Sequence, residues 1–98
     1  MSRPGMPSSL RLKVITSKRL LIDAEVEDVS LPSLQGELGI LPGHRPLVTA
    51  LGKGNLSCRM GRGGETFAVQ GGFAQVLPDR VTVFTELIQD ENDRPSQG

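Results

Sequence analysis

The sequence predicts an all-β fold, a sandwich or a barrel, on three observations. No stretch from residue 1 to 89 carries the apolar period of a long amphipathic helix. Short β-branched runs alternate apolar and polar residues instead. Turn signals rich in Gly, Pro and Asp separate those runs at close intervals.

The first run, LRLKVIT, places Leu10, Leu12 and Val14 on one face and Arg11 and Lys13 on the other. The next, RLLIDAEVEDVSLPS, alternates until Glu27 and Asp28, where Val26 and Val29 fall out of phase. A β-bulge there would return both valines to the core side. LGILP, PLVTAL and GNLSCRM read as three short strands. GRGG, residues 61–64, is a tight hairpin link into ETFAVQGG, which is followed by FAQVLP, the turn PDR, and VTVFTEL. The core strands bound one β domain, sandwich or barrel, over residues 9–88. Residues 1–8 read as a flexible N-terminus, and residues 89–98, polar, acidic and without aliphatic anchors, as a disordered tail.

At 98 residues the chain has the length of one domain. Eleven basic residues balance eleven acidic ones, so net charge favours neither nucleic acid nor an anionic membrane. The signs are blocked, however. Residues 1–19 carry five basic and no acidic groups, 20–37 five acidic and no basic, and 38–64 four basic and no acidic. In a β protein such blocks become neighbouring strands that attract one another, or solvated strand faces. Cys58 is the only cysteine, so no intrachain disulfide forms, which fits a reducing compartment. The polar start MSRPGMPSSL lacks the apolar region of a signal peptide. The longest uncharged run, TFAVQGGFAQVLP, is too short and glycine-rich to cross a bilayer as a helix, so no direct membrane insertion is expected.

Little catalytic chemistry is visible. His44 is the single imidazole and lies in a proline-flanked turn, with no nucleophile elbow anywhere. One Cys and one His do not make a zinc site. GKGNLS and GRGGET fail the dinucleotide pattern, and no phosphate loop is present. Neither catalytic residues, a cofactor nor a metal is expected. An oligonucleotide-binding barrel would need aromatic stacking platforms, and the chain has only three Phe and no Trp or Tyr. A non-catalytic binding module is the class that remains. If Ala74, Val76, Val81 and Val83 face inward, then Phe73, Leu77 and Phe84 face outward. Such a greasy outer face is either a partner's contact surface or is covered within the domain.

The run GELGILPGHRPLVTALGKG, Gly36 to Gly54, interrupts apolar residues with five glycines and two prolines. Its first part, GELGILPGHRPLVTAL, resembles the epsilon subunit of the rotary F-type ATP synthase, the counterpart of mitochondrial delta. LKVIT, VEDVSLP and VQGGFAQVLPDRVTVFTE surround it in matching order, so the resemblance covers residues 10 to 87.

The resemblance implies a roughly ten-stranded antiparallel β-sandwich. It also implies a non-catalytic rotor subunit at the foot of the central stalk, peripheral to the cytoplasmic face of the bacterial plasma membrane. Its implied partners are the gamma subunit, the c-ring loops and the rest of the ATP synthase complex. There it would couple proton or sodium translocation to ATP synthesis. Glu37 matches the acid that faces the c-ring loops, or is a hairpin turn residue. His44 matches a histidine lying against gamma, or forms a turn-stabilising hydrogen bond. Thr16 matches a small hydroxyl position near gamma, and Phe73, Leu77 and Phe84 supply the greasy part of that contact. The family's C-terminal helical hairpin, with its inhibitory arm and ATP site, has no counterpart before Gly98. The runner-up is a free-standing β-barrel binding module for nucleic acid or a small ligand.

Overall fold

Leu10, Leu12 and Val14 are fully buried while Arg11 and Lys13 are exposed, as alternation demands of a strand packed on one side. They form β1 (Leu10–Ile15) of the computed structural model, which describes residues 8–88. The expected terminal segments, 1–8 and 89–98, lie outside the described residues except for Ser8. The other strands are β2 (Leu20–Val26), β3 (Asp28–Ser33), β4 (Gly36–Ile40), β5 (Leu47–Ala50), β6 (Lys53–Met60), β7 (Gly63–Leu77) and β8 (Arg80–Leu87). There is no helix among the described residues.

Hydrogen-bonded order runs β2-β1-β8-β7-β6-β3-β4, with β5 also pairing β7. The outermost strands of that order, β2 and β4, do not pair with each other, so the sheet is not closed into a barrel. Neighbours are antiparallel except β1 and β8, which run parallel. The 15-residue β7 makes a sandwich of this path. Gly63 to Gln70 pair β6, Phe73 to Val76 pair β5, and β8 pairs β7 from Val69 to Leu77, with an irregularity between Gln70 and Phe73. ETFAVQGG and FAQVLP, two runs in the sequence, are thus one strand bent at Gly71 and Gly72. Counted once, β7 brings the strands among the described residues to eight; it serves both layers as two half-strands.

The inner faces meet in one core. Leu12, Val14, Val76, Val81 and Val83 come from one layer, and Val29, Leu31, Ile40, Leu56 and Val69 from the other. Each such side chain contributes about 1.5–3 kcal/mol of hydrophobic stabilisation when fully buried. Val26 and Val29 are both buried, but a strand break rather than a bulge achieves it. Glu27 lies in neither strand: Val26 pairs Leu10 in one layer, and Val29 pairs Cys58 and Ile40 in the other. The chain changes partners there, which resets the phase.

The charge blocks become cross-strand contacts. Arg11 Nε lies 2.7 Å from Asp23 and its Nη1 3.6 Å from Glu25, joining β1 to β2. Arg59 reaches Asp28 at 2.8 Å and Glu27 at 3.6 Å, joining β6 to the start of β3. These side chains are 30–60 % exposed, so they favour the register more than the stability.

Candidate functional site

Outward positions of the β2-β1-β8-β7-β5 layer line up in rows, because residues paired across a sheet share a face. Leu20 pairs Ile15, Ile15 pairs Phe84, Phe84 pairs Phe73, and Phe73 pairs Ala50. This is an apolar row across five strands. Leu20 is 51 % exposed, Phe73 46 % and Phe84 40 %, so the domain does not cover it. The two phenyl rings lie 5.1 Å apart between centroids, tilted by 32°. Aromatic contacts of that kind hold each other in place.

Two residues along β1, β8, β7 and β5, and three along β2, whose register shifts opposite Val14 and Ile15, the next row reads Asp23, Lys13, Thr82, Gln75 and Val48. The row beyond it carries Glu25, Arg11, Arg80 and Leu77. The face is therefore graded, greasy at one end and charged at the other. Asp23 dominates at the charged end, where its hydrogen bond and its charge hold the Arg11 guanidinium above its ordinary value.

A hollow of about 330 Å³ opens at the apolar end, lined by Ile15, Thr16, Ser17, Phe73, Phe84 and Glu86 among others. Thr16 shapes its rim. Its hydroxyl accepts from the backbone N–H of Lys18 and of Arg19, both at 3.1 Å, and so closes the β1–β2 turn. Ser17 gives its N–H and its hydroxyl to Glu86, at 3.0 and 3.2 Å. Three residues singled out from the sequence, Thr16, Phe73 and Phe84, are thus gathered at one place.

Leu77 and His44 are not part of it. Leu77 is half-buried at the charged end, four residues from Phe73 and so roughly 13 Å along the strand. His44 sits in the 41–46 loop, half-buried, beside that same end. The loop is pinned where the Gly43 N–H donates to the Pro78 carbonyl at 2.8 Å, with Gly43 at φ 89°. Such a φ suits glycine and strains other residues. The His44 N–H donates to the Leu41 carbonyl at 3.1 Å, and Nδ1 lies 2.8 Å from the Arg45 carbonyl. A carbonyl only accepts, so the proton on that side sits on Nδ1. The turn-stabilising hydrogen bond is present, and Nε2 makes none among the described residues.

Glu37 lies on the other layer. It is exposed on β4 opposite Pro32, and the Ser30 hydroxyl donates to its Oε2. It borders a second hollow, of about 440 Å³, between β4 and β5. Among the described residues, no group of three or more His, Cys, Asp or Glu is arranged to hold a metal ion. No helix among them is long and apolar enough to cross a membrane.

Leu20, Ile15 and Ala50 extend the apolar row and are absent from the sequence-based selection. Their share in it follows from cross-strand register, which no local pattern reveals. An exposed Leu beside a turn carries no signal by itself.

Comparison with known proteins adds the lineage. Residues 9–90 match the family described as the ATP synthase Delta/Epsilon chain, beta-sandwich domain. The chain belongs to this family. It is 42 % identical over 84 residues to the ATP synthase epsilon chain of Solibacter usitatus, covering 86 % of this chain and 63 % of that protein. It is likewise 42 % identical over 83 residues to the epsilon chain of Moorella thermoacetica, covering 84 % and 62 %. The chain thus spans under two thirds of these curated relatives. Among solved structures, a chain of the Euglena gracilis mitochondrial ATP synthase superposes with a TM-score of 0.77 at 24 % identity, over 87 % of this chain and 55 % of its own length. A chain from the Tetrahymena thermophila mitochondrial ATP synthase central stalk and c-ring superposes at 0.70 with 16 % identity, over 93 % and 74 %. Both show the same sandwich fold.

Proposed function

We propose that this chain is a non-catalytic rotor subunit of an F-type ATP synthase, seated between the gamma subunit and the c-ring at the peripheral, cytoplasmic side of the membrane. In that position it couples ion flow through the ring to ATP turnover in the head. The observation that carries the reading is the exposed apolar row with Phe73 and Phe84 at its centre. An uncovered aromatic pair on a domain of the delta/epsilon family is what a permanent subunit contact requires.

The two layers take different partners. The apolar row, with Thr16 at its rim, meets gamma. Leu77 and His44, whose Nε2 makes no hydrogen bond among the described residues, extend that contact toward the charged end. Glu37 meets the polar c-ring loops, where a carboxylate suits basic and amide groups. The Ser30 hydroxyl holds one of its oxygens and leaves the other to accept from the ring.

These roles predict different losses. A buried aromatic anchor is worth about 2 kcal/mol or more at an interface. Phe73→Ala or Phe84→Ala therefore weakens gamma binding roughly thirtyfold or more while the domain stays folded. An exposed acid contributes about 0–1 kcal/mol. Glu37→Gln accordingly leaves gamma affinity near wild type and lowers ATP-driven ion pumping in the assembled complex. Gamma affinity and pumping of each reconstituted variant check both. Normal gamma binding by both Phe variants would remove the row from the interface, and normal pumping by Glu37→Gln would leave that acid a turn residue.

A further inference from the structure

Inward positions in the first half of β7 are odd-numbered, since Phe67 is half-buried on the core and Val69 fully buried. In the second half they are even-numbered, since Ala74 and Val76 are fully buried. Strict alternation cannot deliver both. The change falls where Gln70 pairs Glu86 and Phe73 pairs Phe84: β7 spends three steps against two on β8. One residue is extra, and Gly71 and Gly72 accommodate it at φ 74° and 91°. Had β7 run on without it, Phe73 would oppose Val83 and point into the core. The extra residue is what turns Phe73 and Leu77 outward.

One side chain closes on this irregularity. Thr85 is the single buried polar side chain among the described residues, 4 % exposed. Its hydroxyl lies 2.6 Å from the Gly71 carbonyl and 3.3 Å from the Gln70 carbonyl. A hydroxyl has one hydrogen, so the two carbonyls share it, with Gly71 the nearer. These carbonyls flank the point where the regular ladder is interrupted. Backbone bonds from the β5 side complete the fixation: the Gly71 N–H donates to the Gly52 carbonyl, and the Gly72 carbonyl accepts from the Leu51 N–H. Gly72 is itself pressed on β8, where an added Cβ would fall 1.8 Å from the Phe84 carbonyl oxygen.

We infer that Thr85 is a positioning residue for the docking face, because its hydroxyl fixes the extra residue of β7 that presents Phe73 to the partner beside Phe84. Thr85 is buried and acts through Phe73. The inference rests on the reading that the Phe73–Phe84 row docks gamma, but its structural half stands without that reading.

The experiment uses the full chain and the gamma subunit of the same complex, with two readouts. One is the nuclear Overhauser contact of the Phe73 ring with Phe84 as against Val83. The other is gamma affinity. Thr85→Val keeps the shape and removes the hydroxyl; it should weaken the Phe73–Phe84 contact and reduce gamma affinity at least tenfold. Thr85→Ser should restore both to within about twofold of wild type. Deleting Gly72 removes the extra residue, so Gly71 comes opposite Thr85 and Phe73 stays opposite Phe84 in an unbroken ladder. In that deletion background Thr85→Val should cost less than twofold in gamma affinity. This arm holds even where Thr85→Val alone fails to fold, because the double variant then folds and shows the Phe73–Phe84 contact. Either an intact contact and affinity in Thr85→Val, or an undiminished penalty in the deletion background, overturns the inference. A wild-type chain that shows the ring contact yet does not bind gamma sinks the proposed function and leaves the Thr85 role to be decided by the ring contact alone.

Discussion

Cys58 illustrates how burial alone sets a residue's chemistry. It is 6 % exposed on β6, facing Val29 across the ladder, and desolvation chiefly raises its thiol above the ordinary value of 9.0. A thiol whose folded value is raised favours the folded state only while it stays protonated in both states. That contribution is complete below the unfolded value and is lost as pH rises through the folded one. The gap in denaturation midpoint between wild type and Cys58→Ala should therefore shrink as pH climbs past 9, and hold constant between pH 6 and 8. The same burial should make alkylation of the native protein far slower than that of the unfolded chain, read by mass spectrometry with iodoacetamide.

Among the elements, β7 separates two glycines that a sequence pattern treats alike. Both sit at positive φ, where a non-glycine residue costs about 1–2 kcal/mol. An added Cβ at Gly71 meets nothing within 4 Å, whereas at Gly72 it lies 1.8 Å from the Phe84 carbonyl oxygen. Gly71→Ala should lower stability by about 1–2 kcal/mol and leave the β7–β8 register intact. Gly72→Ala should cost clearly more, since backbone on β8 must move. Urea midpoints of the two variants give the comparison; equal losses would mean that the close approach at Gly72 relaxes freely.

For the whole molecule, the single core makes the two layers one cooperative unit. Leu31 on β3 is fully buried, and Leu31→Ala should cost about 2–5 kcal/mol. The loss should appear equally in amide exchange of β1, in the opposite layer, because both layers unfold together. Protection lost in β3 and β4 alone would show that the layers open separately. The far-ultraviolet circular dichroism of the folded chain should be β-dominated with almost no helix.

Alternation and turn chemistry determined the all-β class and the inward set of β1, because a strand's side-chain period is a local property of the backbone; they left the phase of β7 and β8, and with it an outward Phe73 and Phe84, conditional. The run from Gly36 to Leu51, together with LKVIT, VEDVSLP and VQGGFAQVLPDRVTVFTE in matching order around it, likewise sufficed to reveal the family. Tertiary structure alone decided which strands became neighbours. It replaced a bulge at Glu27 by a change of layer, made one bent strand of two runs, and set β1 parallel to β8. It also gathered Leu20, Ile15, Phe84, Phe73 and Ala50, from five strands, into one row, and left Leu77 and His44 at the other end. Register between distant strands follows from how the whole core packs and from where one extra residue at Gly71–Gly72 is held by Thr85. Neither leaves a mark in the local period, because each is a relation between residues far apart in the chain.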